Sequence, residues 1–221
     1  MKRYLNILSN INLQTIRFNF KYFPFKQAIR FPIYVAPQVH FNHLAGQVSI
    51  EGHLWPGKIK IGYGEIGIFD KQKSRSIWQV SGNVVFKGAC NIGHGSKISV
   101  GDDGTLIFGD NFTITAETSL ICYRKIEFGA NCVLSWEILM MDTDLHTIKN
   151  SQGEVINYPK PIRVGDNVWI GCRSTILKGS TVSNDSIIAA GSLVTKPLEG
   201  TKAIFGGSPV RILKENVRWE V

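Results

Sequence analysis

The stretch Val164-Gly165-Asp166-Asn167-Val168-Trp169-Ile170-Gly171 opens a run in which an aliphatic residue returns at every sixth position: Val164, Ile170, Ile176, Val182, Ile188 and Val194. A period of six is not the 3.6 of an α-helix, and the residues between are mostly small or polar. Short strands joined by tight turns satisfy it. If three six-residue sides close into one triangular coil, residues eighteen apart lie above one another: Val164 on Val182, Ile170 on Ile188, Ile176 on Val194. Gly165, Gly171 and Ala189 are then small corner residues, where a larger side chain clashes and positive φ favours glycine.

Outward from this run the period continues with slips. Phe108, Ile114 and Leu120 form one six-spaced set and Phe128, Leu134 and Met140 another, while Ile92 and Val100 mark similar Ile/Val-Gly starts. Phe108 and Phe128 are twenty apart, which predicts two extra residues in a bulged corner near Cys122 to Arg124. Between Met140 and Val164 lie twenty-four residues where six are expected, so about eighteen leave the coil as a loop. That loop contains His146.

The composition agrees with a turn-rich β architecture: 221 residues, 22 glycines and 19% charged residues. We divide the chain into an N-terminal basic and aromatic cap with early irregular coils (1–75), a β-helix (76–200) with a loop at 141–160, and a closing segment (201–221). Within the first part Leu13 to Phe20 reads as a short helix, Ile33 to Gly64 as strands or irregular coils; Val210 to Glu220 reads as a terminal helix. The net charge of +8 is an N-terminal property, because Lys2, Arg3, Arg17, Lys21, Lys26 and Arg30 precede the first acidic residue, Glu51. Interleaved aromatics (Tyr4, Phe18, Phe20, Tyr22, Phe23, Phe25) suit either a cover for the terminal coil or contact with an anionic membrane surface, a polyanionic substrate or nucleic acid. No apolar run reaches a membrane span or forms a signal-peptide core, so a cytoplasmic protein is expected. Cys90, Cys122, Cys132 and Cys172 lack CxxC spacing and read as free, buried thiols.

The hexads, with Ala189-Ala190-Gly191-Ser192-Leu193-Val194-Thr195-Lys196 and Gly206-Gly207-Ser208-Pro209-Val210-Arg211 after them, resemble the hexapeptide-repeat acyltransferases over roughly residues 80 to 215. The similarity is greatest to the maltose/galactoside type and to O-acetyltransferases of bacterial surface polysaccharides. The resemblance implies a left-handed parallel β-helix, an exception to the right-handed crossover rule. It also implies acetyl-CoA as acyl donor, a sugar-like acceptor, no metal, and a homotrimer with active sites between subunits.

An alcohol attacking a thioester must lose its proton as the new bond forms, and a neutral imidazole suits that task. His146, in Met141-Asp142-Thr143-Asp144-Leu145-His146-Thr147-Ile148, occupies the position that matches the family's catalytic histidine. The spacing does not separate Asp142 from Asp144. We assign Asp144 to the catalytic set beside His146, and Asp142 with Trp136 to acceptor binding. By the same resemblance, a groove for acetyl-CoA runs beside Trp169, Gly171, Cys172, Ala190, Gly191 and Ser192. Thr195, Lys196 and Arg211 then lie toward the phosphates, and Lys214 adds charge. Cys172 stands where the maltose/galactoside group often has serine, and without a paired base it reads as a buried or groove-lining thiol.

Two rival classes are weighed. A γ-type carbonic anhydrase shares the fold but needs three zinc-binding histidines, and His40, His43, His53 and His94 have no such spacing. A non-catalytic β-helix scaffold is the other. Nucleic-acid binding has only the N-terminal charge in its favour, with no recognition motif. A serine acetyltransferase would carry a larger helical N-terminal region, and the uridylyltransferase relatives a nucleotide-binding domain.

Overall fold

The computed structural model describes residues 10–64 and 66–220; Lys2, Arg3 and Tyr4 fall outside them. Over that span the chain is a parallel β-helix in which each coil places one strand in each of three sheets. Among the described residues sheet A has nine strands, from Ile33–Val35 to Arg211–Lys214. Sheet B has seven, from His40–Leu44 to Leu193–Val194, and sheet C six, from Gln47–Ile50 to Thr181–Val182. The stack thus starts at Ile33, within the segment read as cap and early coils.

Val164 lies opposite Val182, Ile170 opposite Ile188, and Ile176 opposite Val194, as the eighteen-residue period requires. All six are at most 3% exposed, and burying each such side chain contributes about 1.5–3 kcal/mol. Earlier coils are longer: Lys97 pairs with Ser119, and Ser119 with Leu139. Longer coils enclose more volume, and rings fill it. Phe86, Phe108 and Phe128 stack with centroids 5.2 and 5.8 Å apart and planes 11° and 4° from parallel. The two extra residues of this coil are Tyr123 and Arg124, between strands Ser119–Cys122 and Lys125–Phe128.

The corners are turned differently from the expectation. Left-handed backbone falls on Asn131 (φ 57°), Asn167 (54°) and Asp185 (57°) at the edge between sheets C and A, and on Glu137 (56°), Arg173 (59°) and Gly191 (69°) between A and B. Asn and Asp tolerate this region better than most side chains. Gly165 and Gly171 serve close approach instead. A Cβ on Gly165 would fall 2.1 Å from Asn184 Oδ1, and one on Gly171 2.6 Å from the Ala190 nitrogen.

The N-terminal helix α1 (Leu13–Tyr22) starts at Asn12, whose side chain accepts from the Gln14 and Thr15 N–H groups, and continues beyond the expected Phe20; a short α2 (Phe25–Ala28) follows. Fully buried Phe18 plugs the first coil, its ring 5.0 Å from Trp78 and 4.8 Å from Tyr22. Polar groups on the same face close the strand edge. Asn19 Nδ2 donates to the Ile33 carbonyl at 2.7 Å, and Thr15 Oγ1 accepts from the Val35 N–H at 2.9 Å. Backbone that would otherwise be an open sheet edge is thereby paired.

At the other end the terminal helix expected over Val210 to Glu220 is absent, and strand Arg211–Lys214 pairs antiparallel with Ile204–Gly206. The preceding strand presents an unpaired edge, and extended backbone satisfies it where a helix would not. Cys90, Cys122 and Cys132 are free and buried, and Cys172 is half-buried. Burial pushes the Cys132 thiol up to about 12, so it stays protonated and inert.

Candidate active site

The long loop leaves the coil after strand Leu139–Met141 of sheet B and returns at Ile162–Val164 of sheet C. It is a folded segment, not a slack one. Lys149 and Val155 bridge antiparallel, and Asn150 Oδ1 accepts from the N–H groups of Gln152 and Glu154 at 3.0 and 2.9 Å. Asn157 ties its two arms together. Its Nδ2 donates to Asp144 Oδ2 and to the His146 carbonyl, both at 2.8 Å, and its Oδ1 accepts from the Ile148 N–H at 2.7 Å. Both amide protons are used.

Lys178, directly after strand Thr175–Leu177 of the next coil, fastens this unit to the scaffold. Its ammonium pairs with Asp144 and donates to the Asn157 carbonyl at 2.9 Å. The Lys178 hydrogen bond, then that from Asn157, holds the Asp144 carboxyl below the usual carboxylate range. The His146 side chain is exposed while its backbone is held. Such a group is available to a ligand yet restricted in where it reaches.

The two aspartates are held in different ways. Among the described residues Asp144 bonds to Lys178 and Asn157 and not to the His146 ring, and so ties the loop to the scaffold. Asp142 is fully buried and is removed from the acceptor site. Its carboxylate accepts from the N–H groups of Tyr123, Arg124 and Lys125 at 2.7, 2.8 and 2.6 Å, closing the corner swollen by two residues in the coil below. A carboxylate so occupied is part of the scaffold.

Most of the residues read as a groove fall on two edges of sheet B, and Trp169 and Arg211 on sheet A. Trp136, Gly171, Cys172, Ala190 and Gly191 lie at the edge between sheets A and B. Ala190 and Gly191 are exposed and Cys172 half-buried, whereas Gly171 is buried. Ser192 points inward, its hydroxyl donating to the Ala189 carbonyl at 2.6 Å and accepting from the Gly207 N–H at 3.3 Å, so it presents nothing to a groove. Trp169, 40% exposed, stands on sheet A, its Nε1 donating to Ser135 Oγ at 3.1 Å. Thr195 and Lys196 are exposed past strand Leu193–Val194, on the His146 side of sheet B, and Arg211 is exposed on the terminal strand. Within one chain the loop that carries His146 leaves one edge of sheet B and the small-residue corner lies on the other.

A cavity of about 860 Å³ lies at the third edge, between sheets C and A, lined by Lys87, Glu127, Arg163, Asp166 and Asn184 among others, and holds none of these groups. Among the described residues no three His, Cys, Asp or Glu side chains converge as a metal cage. Lys178 and Asn157 escape the sequence reading: neither occupies a periodic position, and the sole hint is that a loop this long needs a tether.

Residues 161–196 match the bacterial transferase hexapeptide (six repeats) family. A galactoside O-acetyltransferase of Escherichia coli (strain K12) is 30% identical over 124 residues, 55% of this chain and 56% of that protein. A polysialic acid O-acetyltransferase of Neisseria meningitidis is 34% identical over 96 residues, 43% of this chain and 45% of that one. The matched stretch spans about half the length of these relatives. The crystal structure of the polySia-specific acetyltransferase NeuO superposes with a TM-score of 0.52 at 22% identity, covering 80% of this chain and 74% of that one. The resemblance to hexapeptide-repeat acyltransferases is thus upheld, and the fold is the left-handed parallel β-helix expected from it.

Proposed function

We propose that this hexapeptide-repeat protein is an O-acyltransferase that moves an acetyl group from acetyl-CoA onto a hydroxyl of a sugar or polysaccharide precursor. The observation that carries the proposal is an exposed imidazole, His146, on a loop tied down by Asn157 and Lys178. The names of the galactoside and polysialic acid relatives supply the acceptor class.

In this reading His146 takes the proton of the acceptor hydroxyl as its oxygen attacks the thioester carbonyl. Backbone N–H groups stabilise the oxyanion, the carbon–sulfur bond breaks, and the imidazolium returns its proton to the departing thiolate. No metal takes part. Trp169, Cys172, Ala190 and Gly191 flank the pantetheine arm, and Lys196 and Arg211 serve the phosphates. Trp136, at the edge between sheets A and B, contacts the acceptor from that side.

A homotrimer fits the split of these residues between two edges. A head-to-tail contact that closes after three copies sets the His146 edge of one subunit against the small-residue edge of the next. The reaction so framed belongs in the cytoplasm, beside the acyl-CoA pool.

The test combines ligand-induced stabilisation with turnover. Acetyl-CoA is expected to raise the melting temperature, and thiol release is expected with at least one member of a panel of nucleotide sugars, glycosides and polysaccharide fragments. Initial rates should intersect. An unchanged melting temperature at saturating acetyl-CoA would assign the chain to the scaffold class, and parallel rate lines would replace direct transfer with an acyl-enzyme route.

A further inference from the structure

Helix α1 is inverted relative to an ordinary surface helix. The face toward the protein buries polar Thr15 and Asn19 with Phe18, because the adjoining strand needs side-chain hydrogen bonds along its edge. The outward face carries the apolar residues. Leu13, Ile16 and Phe20 recur at three- and four-residue intervals on one side of the helix and are 78%, 41% and 44% exposed. Beyond the helix Phe25 and Ile29 are 69% and 48% exposed. The Phe20 ring lies 6.0 Å from Phe25, so the apolar surface is continuous across the two helices.

Cations surround this patch. Arg17, Lys21, Lys26 and Arg30 are all exposed, and no acidic residue occurs in the sequence before Glu51. Arg17 also lies over the Phe41 ring, 5.5 Å from its centroid, which helps hold its guanidinium at the rim. An apolar stripe with a basic border matches the headgroup boundary of an anionic bilayer, where side chains such as Leu and Phe enter the acyl region and Lys and Arg meet lipid phosphates. A second copy of this chain brings the same positive charge, which opposes face-to-face pairing through the patch. No helix among the described residues is long and apolar enough to cross a membrane, so the contact is with the surface.

We propose that the outward face of α1 and α2 is a docking surface for an anionic lipid bilayer. Neither His146 nor the small-residue edge takes part, so the inference stands apart from the proposed chemistry. The His146 loop leaves the fifth strand of sheet B, so docking leaves it about 20 Å along the stack at ~4.8 Å per strand.

The test is co-sedimentation of the full chain with vesicles of phosphatidylcholine alone, or mixed with phosphatidylglycerol. The protein should pellet with the anionic vesicles only, and high salt should release it. The exposed pairs Leu13→Ser with Phe20→Ser, and Lys21→Glu with Lys26→Glu, should each lower the bound fraction about tenfold or more, with circular dichroism and melting temperature unchanged. Failure to pellet with anionic vesicles, or wild-type binding by both folded variants, overturns the proposal. So does an assembly in solution that Leu13→Ser with Phe20→Ser disperses, which would give the face to a second copy.

Discussion

Lys178 and Asp144 form an ion pair across thirty-four residues of chain, joining the coil after the long loop to the arm that carries His146. The Asp144 side chain is 38% exposed and that of Lys178 20%, so the pair contributes modestly to global stability. Its consequence is geometric: Asn157 bridges Asp144 to the His146 backbone, and Lys178 grips both sides of that bridge.

Lys178→Met is therefore expected to lower turnover about tenfold to 100-fold, with little change in melting temperature, because the arm that carries the proposed base His146 is released and the core is untouched. Asp144→Asn should have a similar effect, and the double variant should be little worse than either single one. Additive losses in turnover would show that the two side chains act independently.

The same pair sets an acid limit on loop order. The Asp144 carboxyl is held below its ordinary value, so the stabilisation is present above the unfolded aspartate value of about 3.9 and is lost as pH falls through the lower folded value. Protease cleavage within residues 145–156 should stay slow at mildly acidic pH in the wild type. Lys178→Met should be cut readily at neutral pH, and equal cleavage of the two proteins would contradict the tether.

If His146 is the general base proposed, His146→Ala should reduce turnover on the order of 100- to 10,000-fold while leaving the melting temperature unchanged. The imidazole is exposed and its backbone is held through the Asn157 amide, so removing the ring leaves the loop's bonds intact. Full activity in a folded variant would move the general base elsewhere.

Asp142→Ala addresses the scaffold. Three N–H groups at the Tyr123 to Lys125 corner lose a buried charged acceptor, and the expected loss is about 3 kcal/mol or more in denaturant unfolding. An effect confined to the KM for acceptor, at unchanged stability, would restore Asp142 to the binding site.

His94 offers a separate test of the core. It is 1% exposed, neither ring nitrogen has a partner, and burial lowers its pKa against the opposing pull of Glu117. With the folded value below the unfolded value of about 6.5, stability falls as pH drops below that figure toward the folded one. His94→Phe should flatten this dependence in melting curves between pH 5 and 7, and an unchanged slope would assign the acid sensitivity to other groups.

Much of this architecture could be read from residue spacing. An aliphatic at every sixth position leaves no helical face, and the eighteen-residue stacking pairs follow directly. The excess between Met140 and Val164 marks a loop because a closed coil cannot absorb eighteen more residues. The terminal strand and the corner conformations were not legible in this way. Arg211–Lys214 is extended because the last edge of sheet A needs a partner, and left-handed backbone falls on Asn131, Asn167 and Asp185 where glycine was the natural guess.

By itself, then, the sequence determined the repeat, the stacked core and the place of the long loop, since all three depend on residues near in sequence or at a constant period. Only the tertiary structure decided what the polar groups do. Two aspartates two residues apart have unrelated partners because backbone direction turns Asp142 into the corner below and Asp144 toward Lys178. The three-sided winding likewise sends residues read as one groove to opposite edges of sheet B, since a few positions along the coil are enough to carry a side chain from one edge to the next.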